Sequence, residues 1–190
     1  MRKILGKKDN SKQNQLILGI GLIILMLFSV LGYALGGRSD NSGEILEYNG
    51  IKFIQEGSGY WNFENQGFGF LTKYHPEELE DIRFDSKMSL ADFNEKALYF
   101  VGNSQEPIIE IARNLEQFVL RIQNACIDEE DCEGDLPIKN CFEDNIIIIK
   151  EPELGEAEKT SQQGNCIYIT ASFANQTRYA DKAIYHLLGI

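Results

Sequence analysis

Residues 16–35 form twenty consecutive positions without a charged side chain, and no other feature restricts the chain as strongly. At 1.5 Å per residue, a helix of that length spans about 30 Å, the thickness of a bilayer's hydrocarbon core. The run therefore predicts a transmembrane helix over residues 15–36, held by the lipid bilayer through residues 16–35. Charge sets its direction. The leader, residues 1–14, carries Arg2, Lys3, Lys7, Lys8 and Lys12 against Asp9, a net +4, whereas residues 37–190 hold 13 basic and 28 acidic side chains, a net −15. Basic flanks stay on the cytoplasmic side, which places the leader inside and residues 37–190 outside. A cleaved signal peptide is the competing reading, because Ala34 and Gly36 are small residues at the spacing a signal peptidase accepts. An apolar run of twenty is longer than such peptides use, which favours a retained anchor. Gly32 and Gly36, with Ser29 near the same face, would let two such helices approach closely as a homodimer.

Outside the anchor about 150 residues remain, enough for one hydrophobic core. Residues 37–44 are a short polar stalk, and residues 45–190 are expected to form a single extracytoplasmic domain. All four cysteines, Cys126, Cys132, Cys141 and Cys166, fall in that part. An even number in an oxidising compartment predicts two disulfides. A zinc site is the alternative, but the spacings of five, eight and 24 intervening residues lack close C-x2-C pairs. Asn175-Gln176-Thr177 is the one N-x-[ST] sequon and makes Asn175 a glycosylation candidate. Its other reading is a turn that starts a helix.

Asn49-Gly50, Gly57-Ser58-Gly59 and Gln66-Gly67 punctuate short segments rich in Ile, Phe, Tyr and Trp, the pattern of an antiparallel β-meander. Trp61, Phe63, Phe68 and Phe70 alternate with polar residues or glycine, so one face is aromatic; it reads as core, or else as a platform for a sugar or peptide. Ser89 and Asp92 have capping-box spacing for a short helix, and Ala97–Val101 reads as a buried strand. Ile108, Ile111, Ala112, Leu115, Phe118, Val119 and Ile122 recur at three- and four-residue spacing, predicting a helix over 107–125 with Pro107 in its first turn. The four isoleucines within Asn145–Lys150 predict a strand covered on both faces. A charged connection over 151–165, a strand from Cys166 and a final helix closed by Gly189 complete the chain. The expected fold class is α+β: a β-meander, then β-α-β-β-α with a mixed sheet and helices mainly on one face. If the helix over 107–125 returned the chain to the start of the next strand, Cys126 would pair with Cys141, leaving Cys132 for Cys166; pairing of Cys132 with Cys141 is the alternative.

Catalytic and cofactor signatures are missing from the sequence. His75 and His186 stand in no metal-ligand spacing, Ser58 lacks the strand-to-helix context of a nucleophile elbow, and Gly67-Phe68-Gly69 is not continued as a phosphate-binding loop, so nothing asks for a cofactor. Asp128, Glu129, Glu130, Asp131, Glu133 and Asp135 crowd the loop around Cys132, where a solvated acidic loop and a calcium site are the two readings. The net −15 excludes nucleic acid as a partner, since no basic patch exists to meet phosphates.

The basic leader, the single span, an Ile-, Lys- and Asn-rich outer domain, the Asn165-Cys166-Ile167-Tyr168-Ile169 segment and the terminal Leu187-Leu188-Gly189-Ile190 together resemble uncharacterised single-pass membrane proteins of the archaeal cell envelope. That resemblance covers the whole chain in texture, carries no site residues, and implies an outward-facing anchored protein. The functional expectation is a membrane-anchored interaction or assembly module that meets another envelope protein. The rival is a cell-envelope hydrolase with a carboxylate-based or calcium-assisted site, which would need two convergent carboxylates in a deep pocket, or His75 within reach of one.

Overall fold

The computed structural model describes residues 19–26, 43–127, 132 and 134–190. The chain divides into two units, Met1–Ser42 and Gly43–Ile190. In the first unit, residues 19–26 are helical, and Ile20, Leu22, Ile23, Ile24, Leu25 and Met26 are all exposed. Among the described residues no helix is long and apolar enough to cross a membrane. The remainder of the expected span, including Gly32 and Gly36, lies outside them.

The second unit is α+β and holds two sheets. The first is the meander, with β1 (Ile45–Tyr48), β2 (Ile51–Gln55), β3 (Trp61–Asn65) and β4 (Phe68–Thr72) antiparallel in sequence order. Two of its turns are two-residue hairpins, Asn49-Gly50 and Gln66-Gly67, with positive φ at every position. That left-handed pair matches the twist of the strands it joins, and glycine adopts it without steric penalty. Phe53, Trp61, Phe63 and Phe70 point to one side and are buried, so the aromatic face is core.

After a 3-10 turn at Pro76–Leu79 come α1 (Leu90–Phe93), β5 (Ala97–Val101), α2 (Gln105–Leu115), β6 (Arg121–Asn124), β7 (Asn145–Lys150), β8 (Lys159–Gln163), β9 (Cys166–Thr170) and α3 (Gln176–Leu188). The second sheet has the order β6-β5-β7-β9-β8, parallel except for β8. All of Asn145–Ile149 is buried, as a strand covered on both faces requires. One face, with Leu98, Phe100, Ile147, Ile149, Ile167 and Ile169, packs against α2 and α3 and shares one core with the meander. The other, with Tyr99, Ile146, Ile148 and Cys166, forms a separate smaller cluster. The helix pair thus lies between the two sheets. No residue of α3 is fully exposed, which marks it as the central element.

The helix expected over 107–125 stops at Leu115, and the chain returns as β6 beside β5. That difference moves the disulfides. Because β6 is parallel to β5 and β7, its end carries Cys126 to the opposite end of the sheet from the start of β7, where Cys141 lies. A strand of this kind is about 15 Å long, whereas a disulfide needs Cα atoms within about 7 Å. Neither the pairing of Cys126 with Cys141 nor that of Cys132 with Cys141 or Cys166 forms. The bonds are Cys126–Cys132 and Cys141–Cys166, with Cα separations of 5.5 and 5.0 Å. Gly164 makes the second approach feasible: a Cβ there would stand 2.3 Å from the Cys141 carbonyl oxygen.

Candidate functional site

The meander ends on β4, whose outer edge pairs with no fifth strand among the described residues. An unpaired edge exposes backbone donors and acceptors that need partners when buried. Here the helices supply them. From α2, Asn114 accepts from the Leu71 N–H at 2.8 Å through Oδ1 and donates from Nδ2 to the Leu71 carbonyl at 2.8 Å, as a neighbouring strand would. From α3, Asp181 Oδ2 accepts the N–H groups of Lys73 at 3.0 Å and Tyr74 at 2.8 Å. The Tyr185 hydroxyl donates to the Tyr74 carbonyl at 2.8 Å and also meets the Thr72 hydroxyl.

Glu110 enters the same seam from α2, with Oε2 held at 2.8 Å by Arg113 Nη2. Glu110 and Asp181 are 2% and 0% exposed, and each carboxyl is the other's electrostatic neighbour in the seam. Burial raises both above the usual carboxylate range. The neighbouring Glu110 charge takes Asp181 well above it, while Arg113 draws Glu110 back. Burial also pushes the Tyr185 hydroxyl up. Two convergent carboxyls therefore exist, but both are buried and neither lines any of four grooves found on the surface of the described residues.

A groove of about 540 Å³ lies where the β3–β4 turn, α1 and the end of α3 meet. Its apolar wall is Phe68, Phe70, Leu90, Phe118, Leu187 and Leu188, and its polar lining holds no Asp, Glu, Lys or Arg: Asn65, Gln66, Ser89, Asn94 and His186. Phe68 is 44% exposed and meets the Phe118 ring edge-on at 4.9 Å, so the rim is set by aromatic packing. Asn65 Nδ2 reaches the Leu188 carbonyl at 3.4 Å and joins the two walls. A concave, mostly apolar surface with a few polar groups suits an apolar segment rather than an ion.

His75 is buried between Phe53 and Trp61, each ring centre 4.9 Å away, and its Nδ1 accepts from the Glu77 N–H, capping the 3-10 turn. Burial lowers its pKa against the pull of Glu77, Glu78 and Glu44. His186 stacks against Phe84 beside the groove. Asp128, Glu129, Glu130, Asp131 and Glu133 lie outside the described residues, and Asp135 is exposed. Among the described residues no group of three or more His, Cys, Asp or Glu is placed to hold a metal ion. At the sequon, Asn175 Nδ2, the atom a glycan would occupy, donates to both Glu158 oxygens at 3.1 and 2.9 Å, and Thr177 is buried. Glycan attachment would require that contact to open. Sequence reasoning missed Glu110, Asn114, Asp181 and Tyr185. The available signal was Thr177, Asp181 and Tyr185 at four-residue spacing, a stripe that reads as solvent-facing until the meander covers it.

No family model matches the chain, and neither a curated protein nor a solved structure shows a significant match.

Proposed function

We propose that the protein is a membrane-anchored extracytoplasmic interaction or assembly module, whose apolar groove takes an uncharged segment of another envelope protein. The groove carries this reading. A domain of net −15 is repelled by anionic surfaces, yet this concave surface is aromatic and free of Asp, Glu, Lys and Arg, which suits a partner recognised by burial rather than by charge. The anchor belongs to the same proposal. Six exposed apolar side chains over 19–26 need an apolar solvent, and a bilayer around residues 16–35 supplies one. The two disulfides suit an oxidising exterior. Pairing of two copies through Gly32 and Gly36 belongs to the same proposal. The hydrolase reading gains no support from Glu110 and Asp181, which are closed off from substrate.

A photo-cross-linking residue at Phe68 in intact cells tests the groove, with the same probe at the fully exposed Leu154 as control. A discrete adduct from position 68 alone is expected. Equal labelling from both positions, or none from 68, overturns the groove as a docking site. Protease added to the same cells should remove the domain and leave the leader; full protection reverses the orientation.

A further inference from the structure

The seam leaves two buried acceptor oxygens without a donor, Glu110 Oε1 and Asp181 Oδ1. Two carboxylates have only acceptors, so they cannot hydrogen-bond to each other unless one of them carries a proton. We propose that Glu110 and Asp181 share a single proton, forming a latch that clamps the free edge of the meander to the helix pair and loosens as pH rises.

The bonding assigns the proton's place. Asp181 Oδ2 accepts the Lys73 and Tyr74 N–H groups and acts as the carbonyl oxygen of a neutral acid. Its Oδ1 carries the hydrogen and donates to Glu110 Oε1, while Glu110 Oε2 keeps the negative charge against Arg113. Both orphaned oxygens are then satisfied, and the buried set holds one negative and one positive charge. Loss of the proton to solvent leaves two negative charges facing each other with one guanidinium between the pair and β4. Repulsion then acts across the contact that holds Lys73 and Tyr74. The other titratable or charged groups around the pair are Arg113 and Glu106 on α2, Lys73, Tyr74 and Tyr60 from the meander, His75 and Glu78 in the 3-10 turn, and Tyr185 on α3.

The sign follows from linkage. The raised folded-state affinity for a proton contributes stability that is fully present below the ordinary Asp value of 3.8 and is lost as pH rises through the folded value. Asp181→Asn imitates the neutral acid, because its amide donates to Glu110 and its carbonyl accepts both backbone N–H groups.

The test is urea unfolding of the full-length protein in detergent micelles across pH, for wild type, Asp181→Asn and Asp181→Leu. Relative to Asp181→Asn, wild type should lose about tenfold in its folding constant per pH unit until the pair ionises. Asp181→Leu should be weaker at every pH. A pH slope in Asp181→Asn equal to that of wild type overturns the latch. The second measurement needs no variant: carbon NMR of the wild-type side-chain carboxyls. Asp181 should hold its proton well above 3.8 and titrate together with Glu110. Titration of Asp181 in the ordinary range near 3.8 overturns the proposal.

Discussion

Tyr99 and Phe100 are neighbours on β5, and they face two differently built halves of the domain. Phe100 points into the large core that joins the mixed sheet, both helices and the meander. Tyr99 points into a small cluster with Ala125, Ile146, Ile148 and Cys166, against which Ile127 and Cys141 pack. On the helix side, stability comes from contiguous apolar burial, with buried polar groups of both helices satisfying the β4 edge. The other side has too little apolar cover for that. It uses two disulfides and a cationic pair instead, with Arg121 Nη2 on the Tyr99 hydroxyl and Lys139 Nζ 4.4 Å from the ring centre. A sheet can be buried on both faces and still be stabilised by different physics on each.

Two measurements break that contrast. Phe100→Ala removes a fully buried ring from the continuous core, where neighbours cannot collapse into the space, and should lower stability by about 3–5 kcal/mol in urea unfolding. A loss below about 1 kcal/mol would mean that the helix side is loosely packed. Replacing Cys141 and Cys166 together by Ser opens a loop with a sequence separation of 25, worth about 3.5 kcal/mol in the chain-entropy model. The folded-state emission of Trp61, the chain's one tryptophan, should not change, because it reports the meander. A shifted Trp61 spectrum would show the two halves to be coupled.

What was legible in the sequence follows the same division. The meander announced itself through Asn49-Gly50 and alternating aromatics, and β7 through its isoleucines, because burial leaves a period in the apolar residues. β6 and β8 left none: Arg121–Asn124 has a single half-buried apolar residue, and Lys159–Gln163 has no apolar residue at all. Both are edge strands stabilised by pairing rather than by side chains. Missing β6 displaced Cys126 to the wrong end of the sheet and with it the disulfide pairing. The polar seam stayed hidden for a related reason. Asp181 and Tyr185 are polar residues on a helix, and only the arrival of β4 turns that face inward. The groove joins turn, short helix and C-terminus from three distant parts of the chain, a proximity that no local pattern encodes.

The smallest expected effect sharpens the comparison from the disulfide side. Tyr99→Phe keeps the ring and its burial but removes the hydroxyl that accepts from Arg121. One hydrogen bond to a charged donor at the cluster's margin is worth about 1.5 kcal/mol, less than either change above. Its pH dependence is the informative part. Burial raises the affinity of the Tyr99 phenol for its proton, but Arg121 and Lys139 outweigh burial and hold the pKa below the usual 10.0. A depressed folded value contributes stability that is present above 10.0 and lost as pH falls through the folded value. The gap between wild type and Tyr99→Phe should therefore widen towards pH 10, whereas the Glu110–Asp181 seam loses stability as pH rises through its own folded value. Opposite slopes on the two faces of one strand would separate a side stabilised by cations from one closed by a shared proton. A gap that stays flat to pH 10 would show that the cations pack against the ring without tuning its ionisation.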